Sequence, residues 1–325
     1  MADARRKEER DRKRIGTARF SVGSAATLAA TKLFVGVASG SLGVLSSAFD
    51  NLADILMSGV NYLSIRKSME PADSSHPYGH GKMETLGTVF MSVVVALTGI
   101  WIVWEGIRRL RAGIVPRSVD TGLVVMALSV AASWYISERI RKAGEETGSP
   151  ALAADSLHFR TDVWSGGGIL ASLLAYRVTG WRWLDPGSAL IVGGYIITAA
   201  FPILREALDD LMDRSLPHET VEEIRHIIDS HRPLVVDYHK LRTRRSGAEK
   251  HVDFHVVVCR QYLLEDAHRV ADHLERELSQ ALGNAHVVTH IDPCEIECPG
   301  KDHCERVLAE IRNLPVPGKD PSPHP

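Results

Sequence analysis

Residues 46–62 read SSAFDNLADILMSGVNY, and this stretch decides the fold. It lies within the apolar run 43–65, yet it carries Asp50 and Asp54. A carboxylate at the centre of a membrane helix costs roughly 2.5 kcal/mol or more, so an acid there marks function by default. The i,i+4 spacing sets both carboxylates on one helix face, one turn apart. A second pair, His158 and Asp162 in ADSLHFRTDVW, has the same spacing at the start of another apolar segment. Two helices that each offer two ligands can build a four-ligand metal cage. The competing reading is that such polar residues cap helix ends or line a wet surface. That reading is preferred for Asp155 and Arg160.

Outward from these pairs, the chain splits in composition. Its 325 residues have a formal net charge of −2. Residues 20–206 are apolar and poor in acids, whereas 207–325 are rich in charge and His. Six apolar segments, roughly 18–40, 43–66, 84–107, 119–140, 153–177 and 183–205, approach the ~20 residues needed to cross a bilayer. An even number of spans puts both termini on one side. Bases are denser on the flanks that include the N-terminal RRKEERDRKR, Arg66, Lys67, Lys82, Arg139, Arg141 and Lys142 than on the opposite flanks. By the positive-inside rule, both termini face the cytosol. The basic loop IRRLRAGIVPRS between spans three and four runs against this bias. In that orientation both ligand pairs fall at similar depth. Gly166, Gly167 and Gly168 follow the second pair and allow close helix approach or plain packing. The N-terminus reads as an orientation anchor rather than a nucleic-acid patch or cleavable signal.

After Asp213 the pattern changes. An amphipathic helix is expected over about 218–230, then two hairpin strands joined at Ser246-Gly247, a helix over about 263–282 and a strand at HVVTHI. This is an α-β-β-α-β order, that of a small ferredoxin-like or heavy-metal-domain-like sandwich. The fold class is therefore an α-helical membrane protein of six transmembrane helices with a C-terminal α+β cytosolic domain. Four parts are expected: a basic cytosolic tail (1–17), a transport domain (18–206), a cytosolic metal-binding and dimerisation domain (207–292) and a loose Cys-containing tail (293–325). All four cysteines, Cys259, Cys294, Cys298 and Cys304, lie in the soluble part, which suits a reducing compartment better than a disulfide framework.

With these motifs in hand, the sequence resembles the cation diffusion facilitator family of divalent metal transporters. The resemblance covers nearly all of residues 15–292. It rests on DNLAD, PADSSHPYGHGKMET, HFRTD, MDRSLP, HKLRTRRSG and HIDPC in combination, and it looks nearest to the bacterial zinc and iron efflux branch. It implies a homodimeric, proton-coupled antiporter of the bacterial inner membrane, with no enzymatic activity and no nucleic-acid partner. It implies a transport site of Asp50, Asp54, His158 and Asp162, and a second site of Asp73, His76 and His80 at the cytosolic edge. It implies a cytosolic binuclear site of His239, His255, His268, His290 and Asp292, and an interlock between Lys82 and Asp213. Divalent ions would then be both substrate and regulator, Zn²⁺ first, with Fe²⁺, Cd²⁺, Mn²⁺ and Co²⁺ as further candidates.

His251, Asp253 and His255 alternate along one strand face, but His251, His273 and His286 have no family counterpart and read as surface residues. The tail CEIECPGKDHC departs from the family. Cys294, Cys298 and Cys304 there could form a thiolate site, although loose thiols are the preferred reading. Two rival functions stand beside transport: a membrane-anchored metal sensor or scaffold, and an intramembrane carboxylate enzyme. The second lacks the GxGD motif of membrane aspartyl proteases.

Overall fold

The computed structural model describes residues 2–39, 42–112, 122–179, 181, 183–232 and 234–295. These fall into two compact units, Met1–Leu211 and Met212–Pro325.

Among the described residues the first unit holds six long helices: α1 (Ala2–Ser39), α2 (Leu42–Ser68), α3 (Lys82–Ala112), α4 (Gly122–Thr147), α5 (Pro150–Thr179) and α6 (Leu184–Leu211). The N-terminal basic segment is helical and continuous with α1. Ala18, Ile65, Ile140, Leu152 and Phe159 form a buried cluster that joins α1, α2, α4 and α5. Val95, Ile196 and Ala200 join α3 to α6. These two helices cross closely at glycine: a Cβ on Gly193 would stand 2.9 Å from Gly99 O and 2.7 Å from Val103 Cγ2. The outer surface carries large apolar side chains, among them Phe34, Trp101, Trp104, Leu128, Ile191 and Phe201. Water would penalise such a surface, whereas lipid accepts it. By length and composition, two helical stretches among the described residues are apolar enough to cross a membrane, Lys82–Ala112 and Pro186–Leu211. Six spans were expected from sequence, and apolarity marks two of them among the described residues.

At one end of this unit lies a buried polar hub. Glu84, fully buried at the start of α3, pairs with Arg14 of α1 and accepts a hydrogen bond from Ser149 Oγ. Arg14 also reaches Asp11 (3.0 Å) and donates to Ser68 Oγ (3.2 Å). Ser149 caps α5 as well, its Oγ accepting from Leu152 N at 3.3 Å. The sequence suggests Arg14 as a topology-setting surface charge. It is buried instead, because α1 packs along α2 and α4, which brings Arg14 to Glu84 at the start of α3.

The second unit contains α7 (His218–Ser230), β1 (Asp237–Ser246), β2 (Glu249–Val258), α8 (Leu264–Leu282) and β3 (Ala285–Pro293). The element order is α-β-β-α-β. β1 pairs antiparallel with β2, and β3 runs parallel to β2 at the sheet's other side. Ser246 and Glu249 close the hairpin, with Gly247 at φ +61 supplying the left-handed turn. Val252, Phe254, Val256 and Val258 of β2 alternate inward against Val270, Leu274 and Leu278 of α8 and Ile224 and Ile228 of α7. The period of two therefore turns His251, Asp253 and His255 to the opposite face. His251 is nevertheless buried, which corrects its reading as a surface residue. Its ring lies 5.7 Å from that of His286, its register partner on β3.

Candidate metal sites

Three groups foreseen from sequence are assembled from different local devices. In the helical unit, Asp54 of α2 meets His158 and Asp162 of α5, with one ligand atom from each within 4.8 Å of the others. His158 Nε2 is 3.1 Å from Asp54 Oδ1, yet it is buried and makes no hydrogen bond. A buried imidazole nitrogen facing two carboxylates, without a hydrogen bond of its own, is a donor set suited to a cation. Asp50 stands one turn before Asp54, and its side chain lies outside the described residues. Close approach on both sides of α5 is possible because a Cβ on Gly166 would meet Val130 at 2.7 Å and one on Gly168 would meet Val192 at 2.9 Å. Asp155 departs from its reading as a cap or wet-surface residue. It is fully buried beside Ser21 and Asn61, and neither carboxylate oxygen reaches hydrogen-bond geometry. Its position one turn before His158 was the signal that could have singled it out. Arg160 is exposed.

The second group lies in the irregular loop between α2 and α3. Asp73 accepts from the backbone N–H groups of Ser75 (2.8 Å) and His76 (2.7 Å). These bonds, the His76 N–H foremost, hold its carboxyl below the usual range. His76 Nδ1 and His80 Nε2 lie 3.3 and 3.4 Å from its two oxygens. His80 is buried, and its Nδ1 is 3.2 Å from Pro71 O. A carbonyl only accepts, so Nδ1 carries the hydrogen and Nε2 faces the cluster. Such an outer partner orients metal-binding histidines. Gly79, at φ +78, makes the turn that brings His80 back.

In the second unit the sheet register sets the site. His239, His255 and His290 are partners across β1, β2 and β3. Asp292 collects them: its Oδ2 lies 2.9 Å from His255 Nδ1 and 3.2 Å from His239 Nε2, and its Oδ1 lies 3.3 Å from His290 Nε2. His255 beside it holds the Asp292 carboxyl below its ordinary value. His268 stays outside this group. It is exposed on α8, with Nε2 3.8 Å from Asp272 Oδ1. Lys82 Nζ donates to Leu211 O (3.4 Å), and Asp213 lies 3.6 Å from Arg244 Nη1. Cys294 is buried, with its backbone N–H on Val258 O at 2.9 Å. Cys298 and Cys304 lie outside the described residues.

Two family descriptions match the chain: the cation efflux transmembrane domain over residues 18–212 and the cation efflux protein cytoplasmic domain over 216–294. Among curated relatives, the cation-efflux pump FieF of Escherichia fergusonii is 33% identical over 272 residues, covering 84% of this chain and 90% of the relative. FieF of Shewanella oneidensis is 31% identical over 279 residues, covering 86% and 94%. An uncharacterised transporter of Synechocystis sp. is 31% identical over 279 residues, covering 85% and 89%. With both domains matched in order and relatives aligned over most of their length, the chain belongs to the cation diffusion facilitator family, integral membrane transporters rather than enzymes, which carry divalent metal cations outward.

Proposed function

We propose that this protein exports a Zn²⁺-class cation through the cage of Asp50, Asp54, His158 and Asp162, in exchange for protons. The observation that carries the reading is the meeting of half-buried Asp54, His158 and Asp162 from two helices. Three carboxylates and one imidazole suit Zn²⁺, Fe²⁺, Cd²⁺ or Co²⁺, whereas an all-oxygen set would lean to Mn²⁺. A metal ion binds only deprotonated ligands, so protons arriving from outside compete for the same lone pairs and drive release. Six helices span the membrane with both termini in the cytosol, and the close α3–α6 and α5 crossings allow the helices to rock around a fixed site.

In this reading the Asp73, His76 and His80 loop receives ions at the cytosolic edge. The sheet cluster of His239, His255, His290 and Asp292 senses them, and the protein works as a homodimer. Exposed His268 is free to reach the cluster of a second copy. The curated FieF relatives are named cation-efflux pumps, which supports export. Zn²⁺ and Mn²⁺ transport in proteoliposomes with an imposed pH gradient tests the reading. Zn²⁺ should move faster than Mn²⁺ and accelerate when protons flow against it. Zn²⁺ flux indifferent to the gradient would remove proton exchange.

A further inference from the structure

We infer that His231, His273 and Glu277 form an additional metal site, held within one chain and separate from the sheet cluster. Their ligand atoms all lie within 4.8 Å of one another. Three features of the local structure aim them. α7 ends at Ser230, and His231 follows as its C-terminal cap, with its backbone N–H on Ile228 O (3.1 Å). The ring folds back so that Nδ1 lies 2.8 Å from Ile227 O. That carbonyl can only accept, so Nδ1 carries a hydrogen and the ring's remaining lone pair is on Nε2. His273 and Glu277 are one turn apart on α8 and therefore share a face.

The distances then pose a chemical problem. His231 Nε2 is 3.1 Å from Glu277 Oε2, and His273 Nε2 is 3.6 Å from the same oxygen. A neutral imidazole lone pair and a carboxylate oxygen repel at this separation unless a cation lies between them. Zn–N and Zn–O bonds of about 2.0–2.2 Å in a tetrahedral site set ligand atoms about 3.3–3.5 Å apart. The observed separations bracket that edge. The Nδ1–carbonyl bond is also the outer-sphere contact that metal-binding histidines use to fix tautomer and ring orientation. The two rings stand edge to face with centroids 5.2 Å apart, so both nitrogens reach one point without stacking.

Two imidazoles and one carboxylate favour a borderline ion such as Zn²⁺ or Co²⁺ over Mg²⁺ or Ca²⁺. Burial grades outward, from a His231 side chain 12% exposed to His273 at 32% and Glu277 at 42%. The fourth position therefore opens to solvent and takes water, and the ion exchanges with its surroundings. An ion here joins the end of α7 to α8. It shares no ligand with the sheet cluster, which uses β1, β2 and β3. It does not depend on the transport reading, since none of its ligands belongs to the cage, the loop or the sheet.

The test is Zn²⁺ stoichiometry by equilibrium dialysis of the full-length protein in detergent at micromolar free Zn²⁺. His273→Gln and Glu277→Gln, both on a partly exposed helix face, should each bind one Zn²⁺ fewer per chain with an unchanged gel-filtration profile and helix signal. His255→Ala removes ions from the sheet cluster, and adding His273→Gln to it should remove one ion more, because independent sites add. If both single variants retain the wild-type stoichiometry and affinity, His231 and Glu277 are joined by a proton alone and the site is overturned. It is overturned equally if His273→Gln removes nothing further from the His255→Ala protein.

Discussion

If the cation passes through the proposed cage, His158 supplies its single nitrogen, and His158→Asp would leave only oxygen ligands. That variant should shift transport toward Mn²⁺ in a Zn²⁺/Mn²⁺ competition assay, and an unchanged ratio would remove His158 from the ligand set. A second residue makes a pH prediction. Burial, with Arg244 nearby, holds the His251 imidazole below its ordinary value of 6.5. The unfolded chain then binds more protons than the folded one between the two values. Stability from this residue is therefore full above about 6.5 and is lost as pH falls toward the depressed value. In chelator, thermal unfolding of the wild type should be more acid-sensitive between about pH 7 and 5 than that of His251→Asn. Parallel curves would rule this out. Such burial was not legible in HVDFHVVV, because alternation told which face His251 takes but not what covers that face.

At the scale of elements, the α3 start is held by Glu84, Arg14 and Ser149. Glu84→Gln leaves buried Arg14 with Asp11 as its remaining carboxylate partner, so it should lower stability by about 1–3 kcal/mol. Thermal unfolding in detergent reads this, and a midpoint equal to wild type would show that the hub contributes nothing. Gly193→Ala should cost about 1–3 kcal/mol, because its methyl has no room beside Gly99 O and Val103. What could be read from sequence here followed local periods. Spacing of i,i+4 put Asp54 on a face with Asp50 and His158 with Asp162, and the period of two put His255 on the face opposite the core. The turn glycine and both helices of the cytosolic unit were equally local. Arg14, Glu84 and the His231–Glu277 pair were not legible in this way. Each gains its meaning from a helix that is distant in the chain, and no spacing rule reaches across that distance.

For the molecule as a whole, a cation efflux transmembrane domain is joined in one chain to the family's cytoplasmic domain. If the sheet cluster is a regulatory site, Zn²⁺ at about 100 times its dissociation constant should stabilise the folded cytosolic unit by about 2.7 kcal/mol. Replacing His255 and Asp292 together should abolish that gain in a thermal unfolding experiment with and without Zn²⁺, and an undiminished shift would place the ions elsewhere. The proposed export requires passage of the cation through the half-buried group of Asp54, His158 and Asp162. The decisive experiment is Zn²⁺ flux into proteoliposomes for wild type, Asp54→Ala and Asp162→Ala. Flux should be rapid for the wild type and no greater than that of protein-free vesicles for either variant, with each variant still folded and membrane-inserted. Wild-type flux in Asp54→Ala or Asp162→Ala would mean that the cation takes another path.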